Sequence, residues 1–176
     1  MTKTTPTTTP LWSRRALLRG VGSLAALALV ARSRAALADS KPPAAPAKLT
    51  PEQTKELEAA KFVYISSTRK DGSLGAPAEI WFAVMDGAVW VGSPPDSWRA
   101  KRIRWGRPQA KIAIGQAGGT SFRATGAFVK DPALYKQFCD KLGVKYPDRW
   151  PRWEKSFRDG LASGERVLIR YSPLAS

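Results

Sequence analysis

Short apolar stretches separated by turn residues run through most of the chain after residue 50. Alternating or β-branched apolar positions predict strands at 62–68, 76–84, 88–92, 109–115, 120–129 and 165–171. Helical spacing of apolar positions predicts helices at 51–61, 97–104, 131–142 and 148–160. Because the strands follow one another through tight turns with few helices between them, the pattern favours a mostly β fold, an antiparallel closed barrel with flanking helices.

The ends of the predicted helices carry recognisable signals. Thr50 is placed to cap the first helix and to form a capping box with Gln53. Either Asp96 or Ser97 is expected to cap the second helix. Gly143 is expected to end the third helix, because glycine is common just after a helix C-terminus.

The first 38 residues have the layout of a twin-arginine export signal. The Arg14-Arg15 pair precedes a mildly apolar stretch at 20–31 and the small residues Ala36-Leu37-Ala38. A membrane anchor is the alternative interpretation, but spanning a bilayer takes about 20 apolar residues, and this stretch is shorter. We therefore expect delivery by the twin-arginine translocase, cleavage after Ala38, a periplasmic or other extracytoplasmic location and no stable membrane anchor.

The rest of the chain is predicted to be a flexible linker at 39–49 and a single domain at 50–176. The whole chain has 29 basic and 14 acidic residues. Six basic and no acidic residues lie in the signal, so the mature chain carries 23 basic and 14 acidic residues, a net charge of about +9. This balance indicates phosphate groups, nucleic acid or anionic lipid as partners, and export argues against nucleic acid.

Two features of the composition exclude whole classes of chemistry. The chain has no histidine, which removes histidine-ligated haem, most catalytic zinc sites and Ser-His-Asp or Cys-His machinery. Its single cysteine, Cys139, lies in an apolar helical pattern, which is typical of a buried structural thiol rather than a nucleophile. We expect no metal site, and no catalytic acid or base can be assigned.

The strongest chemical signal is the segment 93–107. Five basic side chains fall within nine residues, with no acidic residue among them: Arg99, Lys101, Arg102, Arg104 and Arg107. The helix that carries most of them begins near Ser97, and a helix start offers free backbone N–H groups to an anion. We therefore predict a phosphate site here, with Arg99 and Lys101 as exposed ligands. The alternative is a solvated basic helix face.

The order of these features resembles the FMN-binding split-barrel flavoproteins related to pyridoxamine-phosphate oxidase. The matching features are a strand at 62–68, a turn at 69–72, a strand at 77–82, a hairpin at 86–91, a segment at 97–102 similar to the family's Ser-x-Lys-x-Lys-Arg phosphate motif, and an Arg-Pro turn at 107–108. The resemblance covers residues 61–173. It implies an antiparallel split β-barrel of the FMN-binding type.

The resemblance also implies a site. In this family the flavin or deazaflavin lies in a groove between the two subunits of a homodimer. Residues 77–81 would pass along the isoalloxazine ring, 66–68 would bind ring or ribityl oxygens, and Ser97, Arg99 and Lys101 would hold the phosphate. The implied cofactor-binding residues are Ser66, Ser67, Thr68, Pro77, Glu79, Ile80, Trp81, Ser97, Trp98, Arg99, Lys101 and Arg102.

Two departures from the family pattern change what we expect of the phosphate geometry and of the activity. Arg99 stands where lysine is more usual, and arginine binds phosphate with a different geometry. The C-terminal segment 165–171 lacks the histidine of the true oxidase, so we do not expect pyridoxamine-phosphate oxidase activity.

Two functions remain open. The first is an exported oxidoreductase that uses FMN or a deazaflavin on an unknown small substrate. The second is a non-catalytic protein of the same fold that carries a flavin, or another anionic cofactor such as haem.

Several aromatic side chains and one acidic side chain can be placed in either of two positions. Trp90 and Trp105 are assigned to the core or to a dimer interface, because tryptophan most often fills such places. Trp150 and Trp153 either cover the pocket or cap the barrel. Glu79 lies either at the pocket rim or on the solvent face of its strand.

Overall fold

The computed structural model describes residues 46–175. The predicted export signal and the first part of the predicted linker, 39–45, lie outside the described residues. Seven strands are present in the described part: β1 Val63–Ser67, β2 Ala78–Ile80, β3 Ala83–Met85, β4 Ala88–Ser93, β5 Gln109–Ile114, β6 Ser121–Val129 and β7 Val167–Pro173. The helices there are α1 Pro51–Ala59, α2 Trp98–Arg104, α3 Pro132–Lys145 and α4 Trp150–Ser163.

The strands form one antiparallel sheet in the order β2-β1-β5-β6-β7-β4-β3. Its two edge strands, β2 and β3, are consecutive in the chain and are joined only by Trp81 and Phe82. The two edges must therefore meet, which curls the sheet into a barrel that is open along this line. The prediction of a mostly β, antiparallel split barrel with flanking helices is confirmed.

The prediction of one continuous strand at 76–84 is wrong in detail. The strand is interrupted at Trp81-Phe82, where the chain passes from β2 at one edge of the sheet to β3 at the other edge. The reason is the hydroxyl of Tyr146, which accepts the Phe82 N–H at 3.1 Å and lies 3.3 Å from the Phe82 carbonyl oxygen. A side chain 64 residues further along the chain thus occupies the backbone groups of Phe82.

Apolar side chains form two separate cores on the two faces of the sheet. The first fills the barrel, with Val63, Ile65, Val89, Ile112 and Ile169 among its buried members. The second lies between the outer face of β3, β4 and β7 and the helices α3 and α4, and it contains Trp90, Phe138, Leu142, Phe157 and Leu168. The outer face of the β1–β5–β6 half of the sheet carries polar residues such as Lys111 and Arg123 instead.

The helix-start signals are confirmed and one helix-end signal is wrong. Thr50 and Gln53 form the predicted capping box, and Ser97 rather than Asp96 caps α2. Helix α3 passes through Gly143 and ends two residues later. A Cβ atom at Gly143 would lie 3.1 Å from the ring of Trp150, so the glycine allows close packing of α4 rather than ending the helix.

The last residues of the predicted linker are bound to the barrel. Ala47 N–H donates to the Pro173 carbonyl at 2.6 Å, and Leu49 N–H donates to the Gly87 carbonyl at 2.9 Å. Leu49 itself is buried in the first core. Among the described residues, no helix is both long and apolar enough to cross a bilayer.

Candidate anion-binding site at helix α2

Helix α2 is held against the barrel by its N-terminal cap and by the apolar side chains of its inner face. Strand β4 ends at Ser93, two prolines turn the chain, and the Ser97 side chain accepts the Ala100 N–H at 3.4 Å. Ala100 is fully buried and Ile103 packs on the barrel core. The first turn of α2 is therefore fixed in position before any ligand binds.

Arg102 joins α2 to strand β1. Its Nη1 donates to both the carbonyl oxygen and the hydroxyl of Ser67, each at 2.7 Å. Gly75 makes room for this contact, because a Cβ atom there would lie 2.5 Å from the same nitrogen. Two groups of residues that the sequence assigned to one cofactor, 66–68 and 97–102, are thus brought into direct contact.

Positive charge accumulates around this junction. The pKa of Arg102 is lowered by burial first, and then by the neighbouring charges of Arg69 and Arg107. Asp71 opposes this effect, but its carboxylate already accepts the backbone N–H and the hydroxyl of Ser73. Among residues 46–175, the buried Nε of Arg107 has no hydrogen-bond partner. Within the described residues, this junction therefore holds three guanidinium groups and a single carboxylate, which is already hydrogen-bonded to Ser73. Such an excess of positive charge favours the binding of an anion.

Arg99 does not lie where the sequence placed it. It is half-buried, and its Nη1 donates to the fully buried Ser93 hydroxyl at 2.8 Å. Burial lowers the pKa of Arg99 and raises the pKa of nearby Tyr171 to about 12. The Tyr171 hydroxyl is buried and has no hydrogen-bond partner within the described part of the chain. The expectation that Arg99 is an exposed side chain is therefore wrong, because it extends beneath α2 toward the barrel interior.

The predicted residues on β1 and β2 lie on both faces of the sheet. Ser66 and Ser67 are nearly buried, and the Thr68 hydroxyl donates to the Gln109 carbonyl at 2.9 Å. On β2, Ile80 packs into the barrel core, whereas Pro77 is exposed.

Glu79 lies on the exposed side of its strand and has a partner. Its carboxylate accepts the Tyr64 hydroxyl at 2.5 Å from the neighbouring strand, where Tyr64 and Glu79 stand opposite each other. This hydrogen bond is the main reason that the pKa of Tyr64 is raised.

Trp81 packs under the helices rather than against α2. Its ring stacks on Tyr146 with centroids 4.6 Å apart and planes within 9°, and Phe157 lies 6.5 Å away. One face of the indole is therefore already covered.

The other tryptophans divide into buried and exposed members. Trp90 is buried in the second core and donates its Nε1 to the Met85 carbonyl at 2.9 Å, which confirms its assignment to the core. Trp150 is buried against Phe157, whereas Trp153 is 42% exposed. Trp105 is not in the core, and it stands with Trp98 on the outer side of α2.

Sequence reasoning missed Arg69, Ser93 and Tyr171, and it identified Arg107 only as one of five closely spaced cations. Arg69 belongs to a turn, Arg107 follows the helix, and Tyr171 comes from the last strand, so only the folded register brings them to α2. The five closely spaced cations were a usable signal for Arg107. Two surface grooves of about 300 and 330 Å³ lie along α3 and α4 and contain none of the predicted site residues.

Comparisons with known proteins identify the architecture. No protein-family model matches the chain, and no curated protein sequence matches it. The solved structures that it resembles include HutZ, the heme storage protein from Vibrio cholerae, with 18% identity over 74% of this chain and 93% of that chain and a TM-score of 0.52. A conserved hypothetical protein from Mycobacterium tuberculosis has 16% identity over 74% and 82% of the two chains and a TM-score of 0.52.

A third similar structure is a provisionally assigned pyridoxamine 5'-phosphate oxidase from Listeria innocua. It shares 16% identity over 69% of this chain and 90% of that chain, with a TM-score of 0.50. At these identities the likeness concerns the fold. The chain has the antiparallel split-barrel fold seen in pyridoxamine-phosphate-oxidase-like proteins.

Proposed function

We propose that this chain is an exported oxidoreductase of the split-barrel type that binds FMN, or alternatively a deazaflavin, with the cofactor phosphate at the junction of α2 and β1. The observation that carries the proposal is the contact of Arg102 with Ser67, because it unites the predicted ring-binding and phosphate-binding segments. The fold supports the proposal. The bound cofactor would take electrons from an electron donor and pass them to a small-molecule substrate.

The donor set at the junction fits a phosphate. Ser97 and Lys101 would bind it from the helix, and Arg102 would bind it from the boundary with β1, with Arg69 and Arg107 adding positive charge. The Nε of Arg107 is a donor without a partner in the described part of the chain, and the guanidinium adds positive charge beside the proposed phosphate site. The cofactor would supply the hydride chemistry, and the protein would bind and orient it.

The remaining predicted residues would border the ring system. Ser66 and Thr68 lie on the outer side of β1, and the Tyr64–Glu79 pair lies one step further along the same face. Lys111 and Arg123 are exposed on this face, whereas the opposite end of the sheet is covered by α3 and α4. We propose that a second copy covers it in a homodimer and completes the groove.

A non-catalytic carrier of the same fold is the second candidate. HutZ is described as a heme storage protein, and the fold alone does not separate a carrier from an enzyme. The absence of histidine from the whole sequence removes the usual axial ligand of a bound haem, which favours a flavin over haem. Reduction of the bound cofactor by a nicotinamide or deazaflavin donor, followed by reoxidation, separates the enzyme from the carrier.

The phosphate assignment is tested by titrating FMN and riboflavin against Lys101→Ala and Arg107→Ala, with Lys55→Ala on α1 as a matched control. Loss of one charge-assisted bond costs about 1.5–3 kcal/mol, so FMN affinity should fall about tenfold to a hundredfold. Riboflavin lacks the phosphate and should be nearly unaffected. Equal losses for both ligands, or no loss in either variant, would overturn the phosphate assignment. Arg99→Ala is unsuitable, because it removes the partner of buried Ser93.

Export and dimerisation have separate tests. Replacing Arg14 and Arg15 with lysine should retain the precursor in the cytoplasm, and unimpaired export would overturn the twin-arginine assignment. Light scattering of the cofactor-loaded protein should report a dimer, and a stable loaded monomer would overturn the shared groove.

A further inference from the structure

Charge is strongly segregated along this chain. The segment from Ser97 to Lys130 has no acidic residue and eight basic ones: Arg99, Lys101, Arg102, Arg104, Arg107, Lys111, Arg123 and Lys130. Among the described residues, every ion pair lies on α3 and α4. No carboxylate in the described part of the chain forms an ion pair with the basic side chains of α2, β5 and β6.

Two large aromatic rings stand in the middle of this charge. Trp98 is 64% exposed and Trp105 is 55% exposed, and their rings meet edge to face with centroids 6.3 Å apart. Trp98 is the first residue of α2 and Trp105 is its C-terminal cap, with Lys101 between them in the sequence. We call Trp98, Lys101 and Trp105 the α2 ridge. Exposed aromatic surface of this size is typical of an interaction site.

We propose that the α2 ridge binds the surface of an anionic phospholipid membrane. Indole rings favour the boundary between lipid headgroups and hydrocarbon, because one part of the ring is apolar and its N–H is polar. Lysine and arginine around them are attracted to anionic headgroups. Helix α2 has only seven residues, so it would lie at the surface and would not insert across the bilayer. The ridge shares Lys101 with the proposed phosphate site, and Arg102, which contacts β1, also stands over the Trp98 ring, so membrane binding is measured on cofactor-free protein.

The ring faces argue against nucleic acid as the partner. Single strands bind by stacking bases on exposed aromatic faces. Here Lys101 and Arg102 stand over the Trp98 ring at 5.4 and 5.7 Å, and Arg107 stands over the Trp105 ring at 5.1 Å. A base would have to displace these cations, whereas a headgroup layer receives the indoles together with them.

A second copy of the chain is also a poor occupant of the ridge. In a twofold dimer the same patch faces itself, so Lys101 and its basic neighbours would meet their own copies. Like charges placed opposite each other destabilise an interface. An anionic lipid surface meets all of these cations with opposite charge.

The test is co-sedimentation with vesicles at low salt, about 50 mM, using the chain from Asp39 onward, which keeps both core clusters. Vesicles of phosphatidylglycerol and phosphatidylcholine should bind the protein, and pure phosphatidylcholine should not. Each lysine or arginine near an anionic lipid surface contributes about fivefold in partitioning. Reversing Lys101 and Arg104 to glutamate should therefore weaken binding at least about 25-fold. Reversing Lys55 and Lys61, with the same change in net charge, should weaken it less than about threefold.

A variant with Trp98→Ala and Trp105→Ala keeps the charge and removes the indoles. Since both rings are exposed, it should fold normally and lose most binding at about 300 mM salt. Equal losses in the two charge-reversal pairs would overturn the proposal, as would equal binding to pure phosphatidylcholine. Tighter binding to a single-stranded oligonucleotide would assign the ridge to nucleic acid. Conversion of a dimer to monomers by the tryptophan changes would assign it to a second copy. The vesicle assays use protein from which any bound cofactor has been removed, so their outcome does not depend on whether FMN binds.

Discussion

The Tyr146→Phe variant tests the hydrogen bonds that the Tyr146 hydroxyl makes at Phe82, where the chain passes from β2 to β3. The Tyr146 side chain is buried, and its hydroxyl accepts the Phe82 N–H at 3.1 Å and donates to the Lys61 carbonyl at 2.9 Å. Phenylalanine keeps the ring that stacks on Trp81 at 4.6 Å. The change therefore removes hydrogen bonds without removing apolar packing.

The expected loss follows from the groups that are left behind. The Phe82 N–H would remain buried without a partner, at a cost of about 1–3 kcal/mol, and the bond to Lys61 would add about 1 kcal/mol. We expect the free energy of unfolding to fall by about 2–4 kcal/mol, which lowers the melting temperature by roughly 10 °C for a domain of this size.

The assay is urea and thermal unfolding beside a matched variant, Tyr135→Phe. Tyr135 is half-buried, and its hydroxyl makes a single bond to the Val129 carbonyl at 3.2 Å. That variant should lose no more than about 1 kcal/mol. If Tyr146→Phe is no less stable than Tyr135→Phe, the Tyr146 hydroxyl does not hold the strand break.

Three further predictions concern the core. In urea unfolding, Gly126→Ala should lower the free energy of unfolding by about 1–3 kcal/mol, because its Cβ atom would lie 2.7 Å from the Tyr171 ring. The control Gly118→Ala should be nearly neutral, because no atom lies within 4 Å of the added Cβ atom. Burial raises the pKa of both Tyr146 and Tyr171 to about 12, above about 10 in the unfolded chain. Stability should therefore hold up to about pH 10 and fall as the pH rises toward 12, and a flat profile there would contradict their burial. Cys139 is buried and its thiol pKa is raised by burial, so iodoacetamide should modify it only on unfolding, as peptide mass measurement would show.

Local signals in the sequence were sufficient for most elements. Alternating apolar positions located the strands, and Thr50 and Ser97 located two helix starts, because capping depends on residues within one turn. Asp86 and Gly87 both have positive φ, as their hairpin requires. The antiparallel barrel then followed from short strands joined by tight turns.

What sequence reasoning missed depends on contacts between distant residues. The strand break at Phe82 requires the Tyr146 hydroxyl, and the role of Gly143 requires the ring of Trp150. The inward direction of Arg99 depends on Ser93 and on how α2 packs over the barrel. Spacing along α2 shows that cations are present, but it does not show which of them are buried.

The central claim is that this split barrel holds a flavin-type cofactor by its phosphate at the junction of α2 and β1. The most direct measurement is the absorption spectrum and mass of the small molecule released from the purified protein, followed by rebinding of that molecule with and without its phosphate. We predict a flavin or deazaflavin spectrum, the mass of FMN or of a phosphorylated deazaflavin, and weaker rebinding after the phosphate is removed. A haem spectrum, or a flavin that rebinds equally well without its phosphate, would contradict the account.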